Sequence, residues 1–400
     1  MALLPVDEAR ARILKGVKPL GIEQVPLSGA LGRVLAKALK APRDQPPFDA
    51  SAMDGYAVRA ADTASTPAIL AVVGDAPAGR RHPHRLRKGE AVRIFTGAPL
   101  PPGADGIVIQ ENTRRNGDEV EVQVAAVAGK HIRRRGLDVR RGETLIDAPQ
   151  RLKPRIIGLA ASMNHALLPV RRRPVVAVLA TGDELVAPGG KPGPDQIVTS
   201  NSSALLSLVA LWGGEALDLG IARDTPKALS RAFDRARRAD VLVTTGGASV
   251  GEHDLVQAAL VAHGFRLGFW RIAMRPGKPL MFAIRGRRRM LGLPGNPVAA
   301  LLCARLFLKP LIDALLGIEE PDPTVEAAIE TALGPNDGRQ DYLRSNLGVD
   351  EKGRLTVKPL RVQDSSMQRA LATADALIVR PPFDPALQPG ASVRVLKLDF

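Results

Sequence analysis

Val241-Leu-Val-Thr-Thr-Gly-Gly-Ala-Ser-Val-Gly-Glu-His-Asp254 is the stretch on which the reading of this 400-residue chain turns. An apolar Val/Leu run that ends in Thr244, Thr245, Gly246 and Gly247 reads as a buried parallel strand whose carboxyl end opens into a loop. Ligands of open α/β sheets bind at that end. The two glycines let the main chain approach an anion closely, Ser249 can donate a hydroxyl, and Glu252 with Asp254 offers carboxylates to a hard cation. The spacing is not the G-x-x-x-x-G-K-[ST] of a phosphate-binding loop, and a tight turn accounts for the glycines equally well.

Working outward, Val175-Val-Ala-Val-Leu-Ala180 is a second near-continuous apolar strand, ending in Thr181-Gly-Asp-Glu-Leu185. Thr199-Ser-Asn-Ser-Ser203 opens a helix over 204–212, Leu217–Gly220 is strand-like, and Asp224-Thr-Pro226 precedes a helix over 227–238. Strands and helices alternating at this length predict βαβ units with right-handed crossovers and a parallel sheet. Asp183, Glu184, Asp224, Glu252 and Asp254 then share one rim of strand ends. Beyond it lie Arg275-Pro-Gly-Lys-Pro279, strands over 281–284 and 290–293, and Pro294-Gly-Asn-Pro297 at the head of an apolar helix over 298–315.

Toward the N-terminus, residues 7–17 have helical spacing with Asp7 and Glu8 in the first turn. Pro46-Pro-Phe-Asp-Ala-Ser-Ala-Met-Asp-Gly-Tyr-Ala-Val58 is a turn-rich loop leading into a strand, and short β runs at 69–73, 91–94, 106–109 and 120–124 form a small β-rich module. After 323 the pattern is again short β runs between Gly/Pro turns. The fold class expected is multidomain α/β plus β: a central α/β domain with a mostly parallel sheet at 171–320, an inserted β-rich domain at 46–140, a discontinuous linker domain at 1–45 with 141–170, and a C-terminal β domain at 321–400.

Composition bounds the partners. The formal charge of +15 favours anionic ligands, but aromatics make up only 3%, which leaves little for stacking the bases of single-stranded nucleic acid. Between Lys130 and Arg173 twelve Lys or Arg face three acids, and that segment is read as a solvated surface. One cysteine, Cys303, excludes disulfides and cysteine-based metal sites within a chain. With no signal-peptide pattern at Met1-Ala-Leu-Leu-Pro5 and no apolar run near 18 residues, neither a membrane nor a nucleic acid is expected as a partner, and the cytoplasm is the expected compartment.

PPFDASAMDGYAV, RIFTGAPLPPGADGIV, TGDEL, TSNSSAL, TTGGASVGEHD, RPGKP and LPGNPVA stand in one order from Pro46 to Ala299. Together they resemble the molybdopterin molybdenumtransferase family, which inserts molybdate into adenylylated molybdopterin and includes the C-terminal domain of gephyrin. The resemblance implies catalytic roles for Asp54, Thr96, Glu184, Asp254 and Lys278. It implies substrate contacts from Asp138, Asp224, Gly246, Gly247, Ser249, Arg275, Pro294, Pro297, Arg344 and Ser365, with Glu184 and Asp254 at Mg²⁺. Molybdate would be the second substrate, AMP a product, and the assembly a homodimer with shared active sites, supplied by a molybdopterin adenylyltransferase. Arg275 stands where lysine is usual, so it is expected to act as a charge that Lys could replace. Gln363-Asp-Ser-Ser-Met367 departs from a Q-G-S-G pattern around Ser365. The other functions weighed are a stand-alone molybdopterin adenylyltransferase and a non-enzymatic cofactor-binding scaffold.

Overall fold

Alternation hidden inside an apolar run is what makes the central sheet two-sided. In the computed structural model of the chain, which describes residues 3–246 and 253–398, Val176 and Val178 enter one core with Val241, Val243, Leu291 and Leu293. Ala177 and Leu179 enter the other with Leu242, Ala283 and Met290. Both faces are dry, so the middle of each strand reads as an apolar run.

The sheet runs Glu215–Ala222, Val175–Thr181, Val241–Thr245, Arg288–Leu293, Met281–Arg285, Arg266–Trp270. The first four strands are parallel, and Met281–Arg285 is antiparallel to both its neighbours. Helices Val6–Leu14 and Asn201–Leu211 and the helical stretch 297–316 supply one core. Helices Pro226–Arg235 and His253–Ala262 supply the other. The single helix expected over 298–315 is in fact Pro297–Cys303, a π-helical turn Ala304–Leu308, and Lys309–Leu316. Pro310 explains the wider turn: it has no N–H to give the carbonyl four residues back.

Toward the C-terminus, Gln340–Val349, Leu355–Pro359, Thr324–Ile329, Ser392–Lys397 and Ala376–Arg380 pair in that order. Gln340–Val349 pairs back onto Ala376–Arg380, which closes a small barrel around Ile329, Val357, Ile378 and Val395. Closure leaves the barrel no open edge except where Met274–Arg275 adds to Gln340–Asp341.

By contacts the chain divides into two compact units. One comprises residues 1–24, 32–36 and 169–400; the other comprises 25–31 and 37–168. The expected linker segment 1–45 is therefore divided: Val6, Ala9 and Ile13 are buried in a core of the α/β unit. The second unit holds a six-stranded sheet, Gly106–Ile109, Gly55–Val58, Glu90–Ile94, Ala68–Ala76, Glu119–Val122, Thr113–Asn116. Thr113–Asn116 was not expected as a strand; its Thr-Arg-Arg-Asn is polar, and it forms by hairpin pairing to Glu119–Val122 around Gly117 at φ 57°.

The basic segment is not simply solvated. Arg134 and Arg135 bond Asp49 and Asp44, respectively, within the second unit. Arg172 makes a two-pronged pair with Asp240 at 2.9 and 3.0 Å, and Arg171 donates to the Leu20 carbonyl at 3.0 Å. Arg134 and Arg135 stay exposed like most basic residues of the segment, as expected of a solvated surface, while Arg171 and Arg172 at its end are half-buried and held in place by these bonds. No helix among the described residues is long and apolar enough to cross a membrane.

Candidate functional site at the strand ends

The parallel strands finish level with one another. Thr181 pairs with Ala222, Ala180 with Thr245, and Thr245 with Leu293. Chain order reverses direction between Val175–Thr181 and Val241–Thr245, and crevices for ligands open at that switch point. Gly246 sits there at φ 91°, and a Cβ on it would lie 2.2 Å from the Thr181 carbonyl oxygen. No side chain fits, so the glycine is required by sterics as well as by backbone angle. A Cβ on Gly295 would come within 3.6 Å of Gly246 Cα, so three loops meet at this point.

Asn201, the first residue of its helix, braces them. Its Nδ2 donates to Thr245 Oγ1 at 2.9 Å and to the Gly295 carbonyl at 2.7 Å, while Thr245 Oγ1 donates to the Pro294 carbonyl at 3.2 Å. Pro294 is thereby fixed at the rim, and Pro297 occupies the first turn of the next helix, where its missing N–H costs nothing. Ser365 reaches this helix from the C-terminal barrel: its carbonyl accepts from Val298 N at 3.1 Å and its Oγ from Asn296 Nδ2 at 2.8 Å. Gln368 of the same segment bonds Ser200 Oγ.

Arg344 is the residue beneath Ser365. It is 1% exposed and donates to the Asp364 carbonyl at 2.8 Å, while Gln363 Oε1 accepts from its backbone N–H at 2.9 Å. It lies buried beneath the 362–365 segment, where it supports Ser365.

Among the acids, Glu184 is exposed on the turn after Val175–Thr181. Its carboxylate folds back over that turn, where a Cβ on Gly182 would lie 2.4 Å from Oε2. Asp183 Oδ1 accepts from Asp224 N at 3.4 Å, which joins the loops after two adjacent strands. Gly247, Ser249 and Glu252 lie outside the described residues, and Asp254 is described only as part of helix His253–Ala262. Among the described residues no group of three or more His, Cys, Asp or Glu could hold a metal.

Two cations flank the rim differently. Lys278 lies three residues before Met281, which pairs with Gly292 at the finishing end of the sheet. The side chain is exposed and has no partner among the described residues. Arg275 is fully engaged. Its Nε and Nη2 both reach Asp341 Oδ2, Nη1 reaches Asp337 at 3.2 Å, and Nη2 also reaches Asn336 Oδ1 at 3.3 Å. The reading of Arg275 as a simple charge is corrected: the planar fork ties it to the barrel, and a lysine has no such geometry.

In the other unit, Asp54 Oδ1 accepts from both Thr96 N at 2.8 Å and Thr96 Oγ1 at 2.7 Å. The backbone N–H of Thr96, then its hydroxyl, hold the Asp54 carboxyl below its ordinary pKa. Asp54 and Thr96 are thus one cluster, beside exposed Phe95, with Arg93 over the Phe95 ring. Asp138 stands apart from that pair, exposed, with its N–H on the Gln45 carbonyl. Sequence reasoning did not single out Thr181, Asn201 or Asn296 as site residues. Asn201 carried a signal, lying in Thr-Ser-Asn-Ser-Ser at a helix start, but it was read there only as a helix opener.

A cleft of about 1060 Å³ in the α/β unit lies elsewhere, among Val6, Arg10, Arg305, Asp313, Tyr342 and Arg394, and contains none of the expected site residues.

Comparison with known proteins matches three families in succession along the chain. The family described as MoeA N-terminal region (domain I and II) matches residues 4–164, the probable molybdopterin binding domain matches 177–314, and the MoeA C-terminal region (domain IV) matches 326–398. A molybdopterin molybdenumtransferase of Haemophilus influenzae is 34% identical over 382 residues, 94% of each chain. Molybdopterin molybdenumtransferase 2 of Mycobacterium tuberculosis is 38% identical over 348 residues, 84% of this chain and 85% of that one. The crystal structure of a molybdopterin biosynthesis moea protein from Pyrococcus horikosii superposes with a TM-score of 0.86 at 31% identity, covering 99% of both chains.

Proposed function

This chain belongs to the molybdopterin molybdenumtransferase family, and from that premise we propose that it inserts molybdate into adenylylated molybdopterin and releases AMP. It is a transferase, and molybdopterin is the ligand class its central domain handles. The observation that carries the reading is the switch-point rim, where Gly246 lies bare against the Thr181 carbonyl, Glu184 is exposed on the turn after the Thr181 strand, and Lys278 is exposed shortly before the strand that begins at Met281. A substrate with a pyrophosphate and an incoming oxyanion brings several negative charges together, and such a rim supplies both a cation and open backbone.

Within this reading Glu184 and Asp254 face the metal and the attacking water, and Lys278 holds phosphate or molybdate oxygens. Gly246, Gly247 and Ser249 take the terminal phosphate, and Asp224, with Asp183, shapes the neighbouring wall. Pro294 and Pro297 hold the opposite wall, with Ser365 seated on it by way of Asn296 and Arg344 supporting Ser365 from below. Bound Mg²⁺ would neutralise the pyrophosphate and let carboxylates stand beside it. Asp54, Thr96 and Asp138 belong to the other unit, and we assign them to the active site of a second copy in a homodimer. The cytoplasmic compartment and an adenylyltransferase partner that delivers the substrate are part of the same proposal.

The sections matched on both sides of the central domain favour this transferase over a stand-alone adenylyltransferase or a scaffold. Incubation with adenylylated molybdopterin, Mg²⁺ and molybdate should yield AMP and a product that activates an apo-molybdoenzyme. ATP-driven adenylylation of free molybdopterin, without molybdate-dependent AMP release, would reverse the assignment.

A further inference from the structure

Among the described residues, two polar atoms at the rim have no partner. Thr181 is 0% exposed and its Oγ1 makes no hydrogen bond, and Asn201 is 8% exposed with Oδ1 equally unpaired. Both border Gly246: Thr181 Oγ1 lies 3.4 Å from where a Gly246 Cβ would stand, and Asn201 bonds Gly295, which packs on Gly246. Ser202 Oγ, on the same helical turn as Asn201, is a third buried atom without a partner.

The amide of Asn201 can face only one way. Turning it over would set Oδ1 against the Gly295 carbonyl at 2.7 Å, acceptor against acceptor, and would take the donor from Thr245 Oγ1, whose own proton goes to Pro294. The leftover atom of Asn201 is therefore an acceptor that a phosphate oxygen cannot satisfy. An N–H can. The Thr181 hydroxyl, which can accept as well as donate, can serve beside it. A valine would fill the space of Thr181 without burying an idle hydroxyl, which costs stability. Polar groups kept at that cost beside a ligand crevice belong to ligand recognition.

We propose that Thr181 Oγ1 and Asn201 Oδ1 form an acceptor pair for the amide and amino N–H edge of a pterin ring, and not for its phosphate. The inference rests on the reading of the chain as a molybdopterin-handling transferase and names the part of the substrate that this wall reads. Thr181→Val is the decisive variant, because it deletes only the unpartnered atom.

The full-length wild type, Thr181→Val and Thr181→Ser are titrated with hydroxymethylpterin, followed by its fluorescence, and with inorganic pyrophosphate, followed by calorimetry. Thr181→Val should melt at or above the wild-type temperature and bind the pterin at least about tenfold more weakly, with pyrophosphate within about twofold. Thr181→Ser, which keeps the hydroxyl, should bind both probes as the wild type does. Unchanged pterin binding in Thr181→Val, weakened pyrophosphate binding alone, or no pterin binding by the wild type each overturns the assignment. If Thr181→Val does not fold, Thr181→Ala carries the same comparison. A wild type that binds pterin in this pattern yet releases no AMP refutes the transferase reading and leaves this one standing.

Discussion

At the scale of single residues, Gly246 and Arg275 show how differently two site positions are constrained. A Cβ on Gly246 meets a carbonyl oxygen of the adjoining strand end, not a flexible side chain, at a φ that L-residues rarely adopt. Gly246→Ala should therefore cost about 2 kcal/mol or more in denaturant unfolding, and a variant as stable as the wild type would contradict that geometry. Arg275 is constrained through its partners. Removing its fork leaves Asp341 buried with one oxygen already unsatisfied. Arg275→Lys should lose about 1 kcal/mol or more, by the same measure, and Arg275→Ala more; Lys behaving as wild type would return Arg275 to a simple charge. Acid tests the same latch. Bonds from the Arg339 side chain and then its backbone, helped by the Arg275 charge, hold Asp337 down at about 2. A carboxylate depressed in the fold stabilises fully above its unfolded pKa, so this contribution should fade as pH falls from about 4 toward 2.

At the scale of elements, the run Val175–Thr181 and the strand Val241–Thr245 were legible because burial on both faces leaves a near-continuous apolar signature. What pins them was not legible. Asp240 accepts from both Nη atoms of Arg172 and from Val175 N at 2.8 Å, joining residues 65 or more apart, and nothing in Arg171-Arg-Arg-Pro174 announces that partner. Asp240→Ala should cost about 1 to 2 kcal/mol, read in chemical unfolding, because a buried strand-start N–H and the half-exposed arginine lose their acceptor together; no loss would return the arginines to free surface. The rim itself divides in the same way. Gly246, Glu184 and Asp224 could be placed from strand ends alone, since strand ends are local features. Asn201 bracing Thr245 and Gly295, Arg344 supporting Ser365, and the Arg275 latch join distant stretches, and only tertiary structure brings them together.

At the scale of the whole molecule, the proposed active site draws Asp54 and Thr96 from one copy and Glu184 and Lys278 from the other. Asp54→Ala and Lys278→Ala homodimers should then each be nearly inactive. In a mixed dimer one site collects both lesions and the other neither; random exchange makes about half the dimers mixed, so roughly a quarter of wild-type activity should return. No recovery, with exchange confirmed by labelled chains, would place both residues in a same-chain site. The rim as the seat of the chemistry is tested more directly by molybdate-dependent AMP release, measured side by side for the wild type and Glu184→Ala on adenylylated molybdopterin with Mg²⁺. We predict release by the wild type and a loss of about a hundredfold or more in the variant, with its fold intact; equal release by the two proteins would contradict the placement of the reaction at these strand ends.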